Sequence, residues 1–160
     1  MNRLSKFKAL TLRERVLLFQ SAILLPVTAL GLRLFGTQKW QKVLASLTRK
    51  TANAAHVSTP VASKEVETVR AKQIARLVRA AANHGVYRAN CLEQSLVLWA
   101  MLKRAGLESE IRFGARKEQN ELQAHAWVEC MGLTLNEDRG VEQRYAPFSG
   151  VLPPTPLKPQ

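Results

Sequence analysis

Cysteine, aromatic residues and acidic residues are all scarce in this sequence. Only Cys91 and Cys130 are present, too few for the disulfide framework of a small secreted domain. No secretory signal with a small-residue cleavage site opens the chain, so we expect two free thiols in a reducing cytosol. The sequence also has no internal repeat, no Gly-rich phosphate loop, no closely spaced pair of metal ligands and no recognisable nucleic-acid-binding motif.

The charge balance is strongly basic. Lys and Arg number 24 against 12 Asp and Glu, a formal net charge of +12, which predicts an anionic partner. The excess is densest in residues 1–55, where Glu14 is the one acidic side chain. A length of 160 residues with 46% hydrophobic content is enough for one domain with a buried core.

The front of the chain has the pattern of helices. Thr11 is followed by Glu14 three residues later, which is the spacing of a capping box. An apolar run, Val16–Leu32, contains Pro26 and ends at Arg33; it is just short of the roughly 20 residues that cross a bilayer. Two interpretations stay open: a buried helix or helix pair kinked at the proline, and a membrane-surface helix whose basic flanks bind anionic lipid.

Composition also suggests how the chain is divided. Small and polar side chains dominate residues 51–64, as is typical of a linker. We therefore expect a basic helical region over residues 1–55, a second domain over residues 63–150, and a flexible tail over residues 151–160.

Two more helices precede the centre of the chain. A helical period begins near residue 63 and ends at Gly85, a residue that suits the left-handed conformation favoured at helix C-termini. Asn90 followed by Glu93 forms a second N-cap signal, so the next helix begins at Cys91.

After this helix the period changes to the alternation of strands. We expect strands in Glu110–Arg116, Leu122–Cys130 and Leu133–Glu137, the last two joined by a tight turn at Met131-Gly132. Residues 146–160 contain five prolines and are expected to be irregular. The fold class is therefore α+β, with a cysteine-bearing helix packed on a small, mainly antiparallel sheet and a helical segment before it.

Cys91 and His125 are the candidate catalytic residues. A helix N-terminus lowers the pKa of a thiol because its free N–H groups and dipole favour the thiolate. His125 shares a strand face with Trp127, and a helix packed across that face would bring the thiol to the imidazole, which can act as general base.

The third member of a triad should orient the imidazole and should come from the next strand. Asn136, Glu137 and Asp138 follow there. Glu137 and Asp138 are equally suitable, and Asn136 is the weaker candidate, because the sequence does not fix the strand register.

Other interpretations compete with this one. Cys91 could be an inert, buried thiol, the common state of an intracellular cysteine. Cys130 continues the apolar face of its strand and is expected in the core, while His56 and His84 are expected in solvent. A zinc site formed by Cys91, Cys130, His84 and His125 lacks the short-spaced ligand pair that structural zinc usually has, so neither a metal nor another cofactor is expected.

Four segments together resemble a known family. They are Asn90–Leu98 (NCLEQSLVL), Leu102–Leu107 (LKRAGL), Ala124–Glu129 (AHAWVE) and Leu135–Glu137 (LNE). They are similar to the transglutaminase-like B proteins of lasso peptide biosynthesis, with the resemblance extending over about residues 65–140.

The resemblance implies a transglutaminase/papain-like cysteine protease core whose Cys-His-Asp triad cuts the leader peptide from a ribosomally made precursor. Cys91 and His125 match this triad, whereas Glu137 follows Leu-Asn where the family has aspartate, and Asp138 comes one residue later. The chain begins directly with the basic helical segment, so it resembles the split type, in which a separate protein recognises the leader. A precursor peptide, that recognition protein and a lasso cyclase are then the expected partners, and the basic front half offers a surface for the recognition protein, for the cyclase or for an anionic membrane.

Two rival functions remain. The same triad could transfer an acyl group to an amine, as transglutaminases do. The chain could instead be a non-enzymatic basic module that binds a membrane or nucleic acid, although aromatic residues are only 6% of it and nucleic acid is the less expected ligand. We expect a cytoplasmic protein, with membrane association left open.

Overall fold

The computed structural model describes residues 10–55, 64–85, 87–118, 121–137 and 140–147. Three long helices precede a small sheet, which confirms the α+β class. The helices are α1 (Leu12–Ala55), α2 (Lys64–His84) and α3 (Cys91–Arg104), followed by β1 (Ser109–Glu118), β2 (Glu121–Cys130), β3 (Leu133–Thr134), α4 (Val141–Arg144) and β4 (Ala146–Pro147). The sheet order is β3-β2-β1-β4, and every neighbouring pair is antiparallel.

Helix α1 begins at the predicted capping box. The Glu14 carboxylate accepts the Thr11 backbone N–H at 2.9 Å, and the Glu14 N–H is donated to the Thr11 hydroxyl at 3.3 Å. The backbone leaves helical geometry at Gly36, with φ 72° and ψ 169°, whereas Pro26 lies inside the helix; the kink expected at the proline stays a prediction. Only glycine adopts that conformation easily, so α1 consists of two helical segments.

The second segment of α1 folds back on the first. A Cβ on Gly31 would lie 2.3 Å from the indole of Trp40, so the absence of a side chain lets that ring lie on the backbone. The helix then continues to Ala55, so residues 51–55 of the expected linker are helical. The remaining linker residues, including His56, lie outside the described residues.

One core connects the three helices to the sheet. Its buried members include Leu25 of α1, Val78 of α2, Leu98 and Leu102 of α3, and Val128 of β2. The described part of α1 therefore packs directly on the cysteine-bearing helix. The proposed division into residues 1–55 and 63–150 stays a prediction.

Helix α2 ends where the sequence predicts, but for a different reason. Gly85 is not among the glycines with left-handed φ, so the expected left-handed cap is wrong. A Cβ at this position would lie 2.4 Å from the Ala81 carbonyl oxygen, which accepts the Gly85 N–H at 2.8 Å. Close approach of the backbone, and not left-handed geometry, requires glycine there.

The strands agree with the sequence pattern except at their ends. Met131 and Gly132 both have positive φ, 53° and 75°, as the expected two-residue hairpin turn requires. Strand β3 is shorter than predicted because the Asn136 side chain, and not the strand backbone, accepts the Val128 N–H at 2.8 Å. The irregular tail expected from residue 146 is wrong for residues 146–147, which form β4; residues 148–160 lie outside the described residues.

Helix α3 lies on the opposite side of β2 from the one expected. Val128 and Cys130 are in the core with α3, and they alternate along the strand with His125 and Trp127, which therefore face the other way. The expectation that α3 crosses the face bearing His125 is wrong. Cys91 and His125 meet at the edge of the strand instead.

Candidate active site

The start of α3 is fixed by a closed set of hydrogen bonds. Asn90 Oδ1 accepts the Glu93 N–H and Glu93 Oε2 accepts the Asn90 N–H, both at 2.9 Å, so the predicted capping box is confirmed. The Tyr87 hydroxyl donates to the same carboxylate at 3.0 Å. Cys91 is therefore held as the first helical residue, where its own backbone N–H has no acceptor within the helix.

The helix begins beside an open edge of the sheet. Strand β3 pairs with β2 at Glu129 and Cys130, and no strand among the described residues pairs with Ala126 on that side. The Ser95 hydroxyl of α3 donates to the Ala126 carbonyl at 3.0 Å, and the Ala126 N–H is donated to the Cys91 sulfur. The edge of β2 thus positions the nucleophile through its backbone.

His125 lies between Cys91 and Glu137. Its Nε2 is 3.0 Å from Glu137 Oε1, although the N–H direction departs from that of an aligned hydrogen bond, so the contact is an ion pair. The Cys91 thiol lies beside the same imidazole and raises its pKa. The side chain of His125 is 16% exposed and that of Glu137 is 30% exposed, so the group is sheltered but open to a substrate.

The electrostatics of this group favour a thiolate–imidazolium pair. Burial alone would raise the pKa of the Cys91 thiol, but the hydrogen bond from His125, the N–H groups of Ala126 and Leu92, and the charge of His125 outweigh it and lower that pKa. Hydrogen bonds to Cys91 and then Glu137 raise the pKa of His125 to about 9 against the opposing effect of burial. Both shifts act in the direction of a thiolate–imidazolium pair.

Glu137 remains ionised in this arrangement. Its contact with His125 lowers its pKa most; burial opposes this, and the charges of His125, Arg79 and Arg144 lower it further. A charged carboxylate can orient the imidazole and stabilise its protonated form.

The second thiol lies in a contrasting environment. Cys130 is 2% exposed and belongs to the core, as predicted from the apolar face of its strand. Burial, with the charges of Glu67 and Glu108, raises the pKa of its thiol. The surroundings therefore lower the pKa of the Cys91 thiol and raise the pKa of the Cys130 thiol.

Sequence reasoning missed Tyr145, which covers one side of the imidazole. The rings of Tyr145 and His125 are stacked, with centroids 4.9 Å apart, and the Arg116 guanidinium lies 5.0 Å from the centre of the tyrosine ring. A Cβ on Gly114 would be 2.9 Å from the Tyr145 Cβ and 3.0 Å from Trp127, so glycine is needed opposite His125. In the sequence, Tyr145 is a single aromatic residue just before a Pro-rich segment, and nothing there indicates that it stacks on His125.

The other candidates either have other hydrogen-bond partners or lie outside the described residues. Asn136, the weaker third-member candidate, is fully used in the structure: Oδ1 accepts the Val128 N–H, and Nδ2 donates to Ser95 Oγ at 2.9 Å. Asp138 lies outside the described residues. Gln94 donates its side-chain amide to the Ala89 carbonyl at 2.8 Å.

The zinc alternative gains no support from this geometry. Among the described residues, no group of three or more His, Cys, Asp and Glu side chains is arranged to hold a metal ion. His84 is exposed at the end of α2, and Cys130 is enclosed in the core.

Comparison with known proteins gives one match. A family model described as the transglutaminase-like superfamily matches residues 31–150, which are 120 of the 160 residues. Cys91, His125 and Glu137 all lie within the matched part, and the match agrees with the expected transglutaminase-like fold. Neither a curated protein nor a solved structure matches the chain.

Proposed function

The chain belongs to the transglutaminase-like superfamily, and we propose that it is a cysteine peptidase that removes the leader peptide from a ribosomally made lasso peptide precursor. The observation that carries the proposal is the contact of the Cys91 thiol with His125, which is in turn 3.0 Å from Glu137. A thiol, an imidazole and a carboxylate in this order are the parts that acyl transfer to sulfur requires.

The proposed reaction has two halves. The Cys91 thiolate attacks the scissile carbonyl carbon, and the protonated His125 gives its proton to the leaving amine as the C–N bond breaks. Water then loses a proton to His125 and attacks the thioester carbonyl, so the acid product leaves and the thiolate is restored. Glu137 keeps its charge throughout and stabilises the imidazolium.

The oxyanion formed in each half needs hydrogen-bond donors. The backbone N–H of Cys91 is available because it is at the first position of α3. One such donor contributes about 3 kcal/mol to stabilising the transition state. The fixed capping box keeps this N–H and the sulfur on the same rigid turn.

The finer assignment to lasso precursors is supported by the four segments that resemble the B proteins, NCLEQSLVL, LKRAGL, AHAWVE and LNE. Three of these segments contain the candidate triad: Cys91, His125 and Glu137. We propose that leader recognition resides in a separate protein and that a cyclase uses the new N-terminus. The aspartate of the family triad is replaced by Glu137 in this proposal.

The test uses the full chain, a lasso precursor peptide and a split-type leader-binding protein. Mass spectrometry should detect the free leader and a core peptide with a new N-terminus. Cys91→Ala should abolish both products, whereas Cys130→Ala, the matched control at the buried thiol, should retain activity within a few fold.

An amine acceptor added to the same reaction distinguishes the acyl-transferase rival. If the leader stays attached and the acceptor amine becomes covalently joined to a peptide in a Cys91-dependent manner, the protein is a transferase and the peptidase proposal is wrong.

A further inference from the structure

Helix α1 has a second apolar face that no described residue covers. Its members are strongly exposed, Phe19 at 67% and Leu34 at 66% for example. The full set, here named the outer stripe, is Leu12, Val16, Phe19, Ile23, Val27, Leu30 and Leu34. The spacing of three and four residues puts them along one side of the helix over about 33 Å.

The opposite side of the same helix is already packed. Leu25 is 1% exposed in the shared core, and the buried Ser21 hydroxyl contacts the Met101 sulfur of α3 at 3.2 Å. By length and composition the described part of α1, Leu12–Thr48, could cross a membrane. Because one side is held against α2 and α3, a helix lying in the plane of an interface fits the structure better.

The outer stripe has no hydrogen-bonding side chains. No residue from Val16 to Leu32 is charged, and every exposed residue in that interval is apolar. Protein interfaces usually make about one hydrogen bond per 100–200 Å² and have polar groups at the rim. A continuous aliphatic surface without such groups suits lipid acyl chains.

The charges around the outer stripe also favour a lipid surface as its partner. Exposed arginines bound the stripe, Arg13 and Arg15 at one end and Arg33 at the other. Glu14, the nearby acid, is already bound by Arg76 at 2.6 Å. Cationic residues beside an interfacial helix strengthen its binding to an anionic surface, whereas two copies of a chain with net charge +12 repel each other.

We propose that the outer stripe binds the surface of an anionic membrane, with α1 lying in the plane of the headgroups. Most of the stripe precedes residue 31, where the match to the family begins, so the match does not cover it. The Arg33 charge also acts on the Tyr87 hydroxyl, which is bonded to the Glu93 cap of α3. One end of the stripe is therefore close to the start of the cysteine helix.

The test is co-sedimentation of the full chain with vesicles at low salt. Phosphatidylcholine vesicles containing phosphatidylglycerol should bind the chain, and pure phosphatidylcholine vesicles should bind it much less. The double variant Phe19→Glu/Leu30→Glu should lower the partition coefficient at least about tenfold, since both side chains leave the apolar layer. Circular dichroism should be unchanged because both positions are exposed.

A matched control introduces two glutamates at exposed apolar positions of α2. Val66 and Val69 of α2 are 58% and 66% exposed, close to Leu30 at 57% and Phe19 at 67%. Val66→Glu/Val69→Glu should bind vesicles within about twofold of the wild type. Peptidase activity on a soluble peptide should be the same in both double variants, which separates this proposal from the catalytic one.

Three results would overturn it. The first is failure of the wild-type chain to bind the anionic vesicles, and the second is equal loss of binding in the two double variants. The third is a lipid-free dimer, seen by light scattering, that Phe19→Glu/Leu30→Glu dissociates, because the stripe would then be a contact between two copies.

Discussion

At the scale of single residues, the decisive feature is the environment of one imidazole. His125 contacts a thiol, a carboxylate and an aromatic ring, and its pKa is raised to about 9 by Cys91 first and Glu137 second. A group whose pKa is raised stays protonated as the pH rises to that value. Activity should therefore decline as the pH passes about 9, because the acid that protonates the leaving amine is lost.

Glu137→Gln tests the third member of the triad. Removing the charge withdraws a contribution that raises the pKa of His125, so the alkaline limb of the kcat/KM profile should move to lower pH. The value of kcat/KM at neutral pH should fall by about 10²-fold or more. Asp138→Asn is the comparison; a larger loss in that variant than in Glu137→Gln would assign the third role to Asp138.

Tyr145 should act as a positioning residue through its ring. Tyr145→Phe keeps the stack on His125 and should retain activity within about threefold. Tyr145→Ala removes one wall of the imidazole and should lower kcat about tenfold with a smaller change in KM, while moving the alkaline limb of the pH profile to lower pH. Equal activity and equal pH profiles in the two variants would show that the stack has no role in catalysis.

At the scale of elements, Asn136 links three pieces of structure. Its side chain accepts the Val128 N–H of β2 and donates to Ser95 of α3, and Ser95 donates to Ala126. These bonds satisfy backbone groups along the open edge of β2 beside Cys91 and hold the residue that precedes Glu137 in place. Asn136 was weighed as a triad member from its sequence position, but the structure uses it to connect elements.

Asn136→Leu should therefore destabilise the fold. It leaves the buried Val128 N–H without an acceptor and removes the partner of Ser95, at about 1–3 kcal/mol for each unsatisfied group. Urea unfolding should show a loss of about 3 kcal/mol in the free energy of unfolding. Asn83→Leu, at an exposed position of α2, should change it by no more than about 0.5 kcal/mol; similar effects of the two substitutions would contradict this role.

Patterns among neighbouring residues predicted the helices and strands better than they predicted how these elements contact one another. Both capping boxes depend on residues three apart, so Thr11-Glu14 and Asn90-Glu93 were visible in the sequence. The break at Gly36 depends on Trp40 packing back on Gly31, and β4 depends on pairing with a strand more than thirty residues earlier. Such non-local causes leave no periodic pattern, and the Tyr145 stack was missed for the same reason.

The placement of α3 illustrates the same limit. Alternation along β2 correctly separated His125 and Trp127 from Val128 and Cys130, but it did not say which side the helix covers. Val128 and Cys130 share a core with Leu98 and Leu102 of the helix, whereas Trp127 on the other face is equally buried, so apolar character alone does not specify the side. Cys91 then reaches His125 only because β3 is short and leaves the edge of β2 open.

At the scale of the whole molecule, the candidate active site and the outer stripe belong to elements that share one core. The family match covers residues 31–150, whereas most of the outer stripe lies before it on the same helix. The proposed membrane contact and the proposed chemistry therefore involve two helices that pack directly on each other, α1 and α3. The peptidase and membrane proposals are nevertheless independent, because each has a variant that leaves the other unchanged.

The measurement that tests the central claim most directly is iodoacetamide alkylation of the two thiols across pH, followed by peptide mass spectrometry. The pKa of Cys91 is lowered by His125 and the surrounding N–H groups against burial, while burial raises that of Cys130. We predict that the Cys91 reaction reaches its half-maximal rate at a pH clearly below that of Cys130, and that His125→Ala removes most of this difference. Identical pH midpoints for the two cysteines in the wild-type chain would contradict the thiolate–imidazolium pair and with it the proposed enzyme.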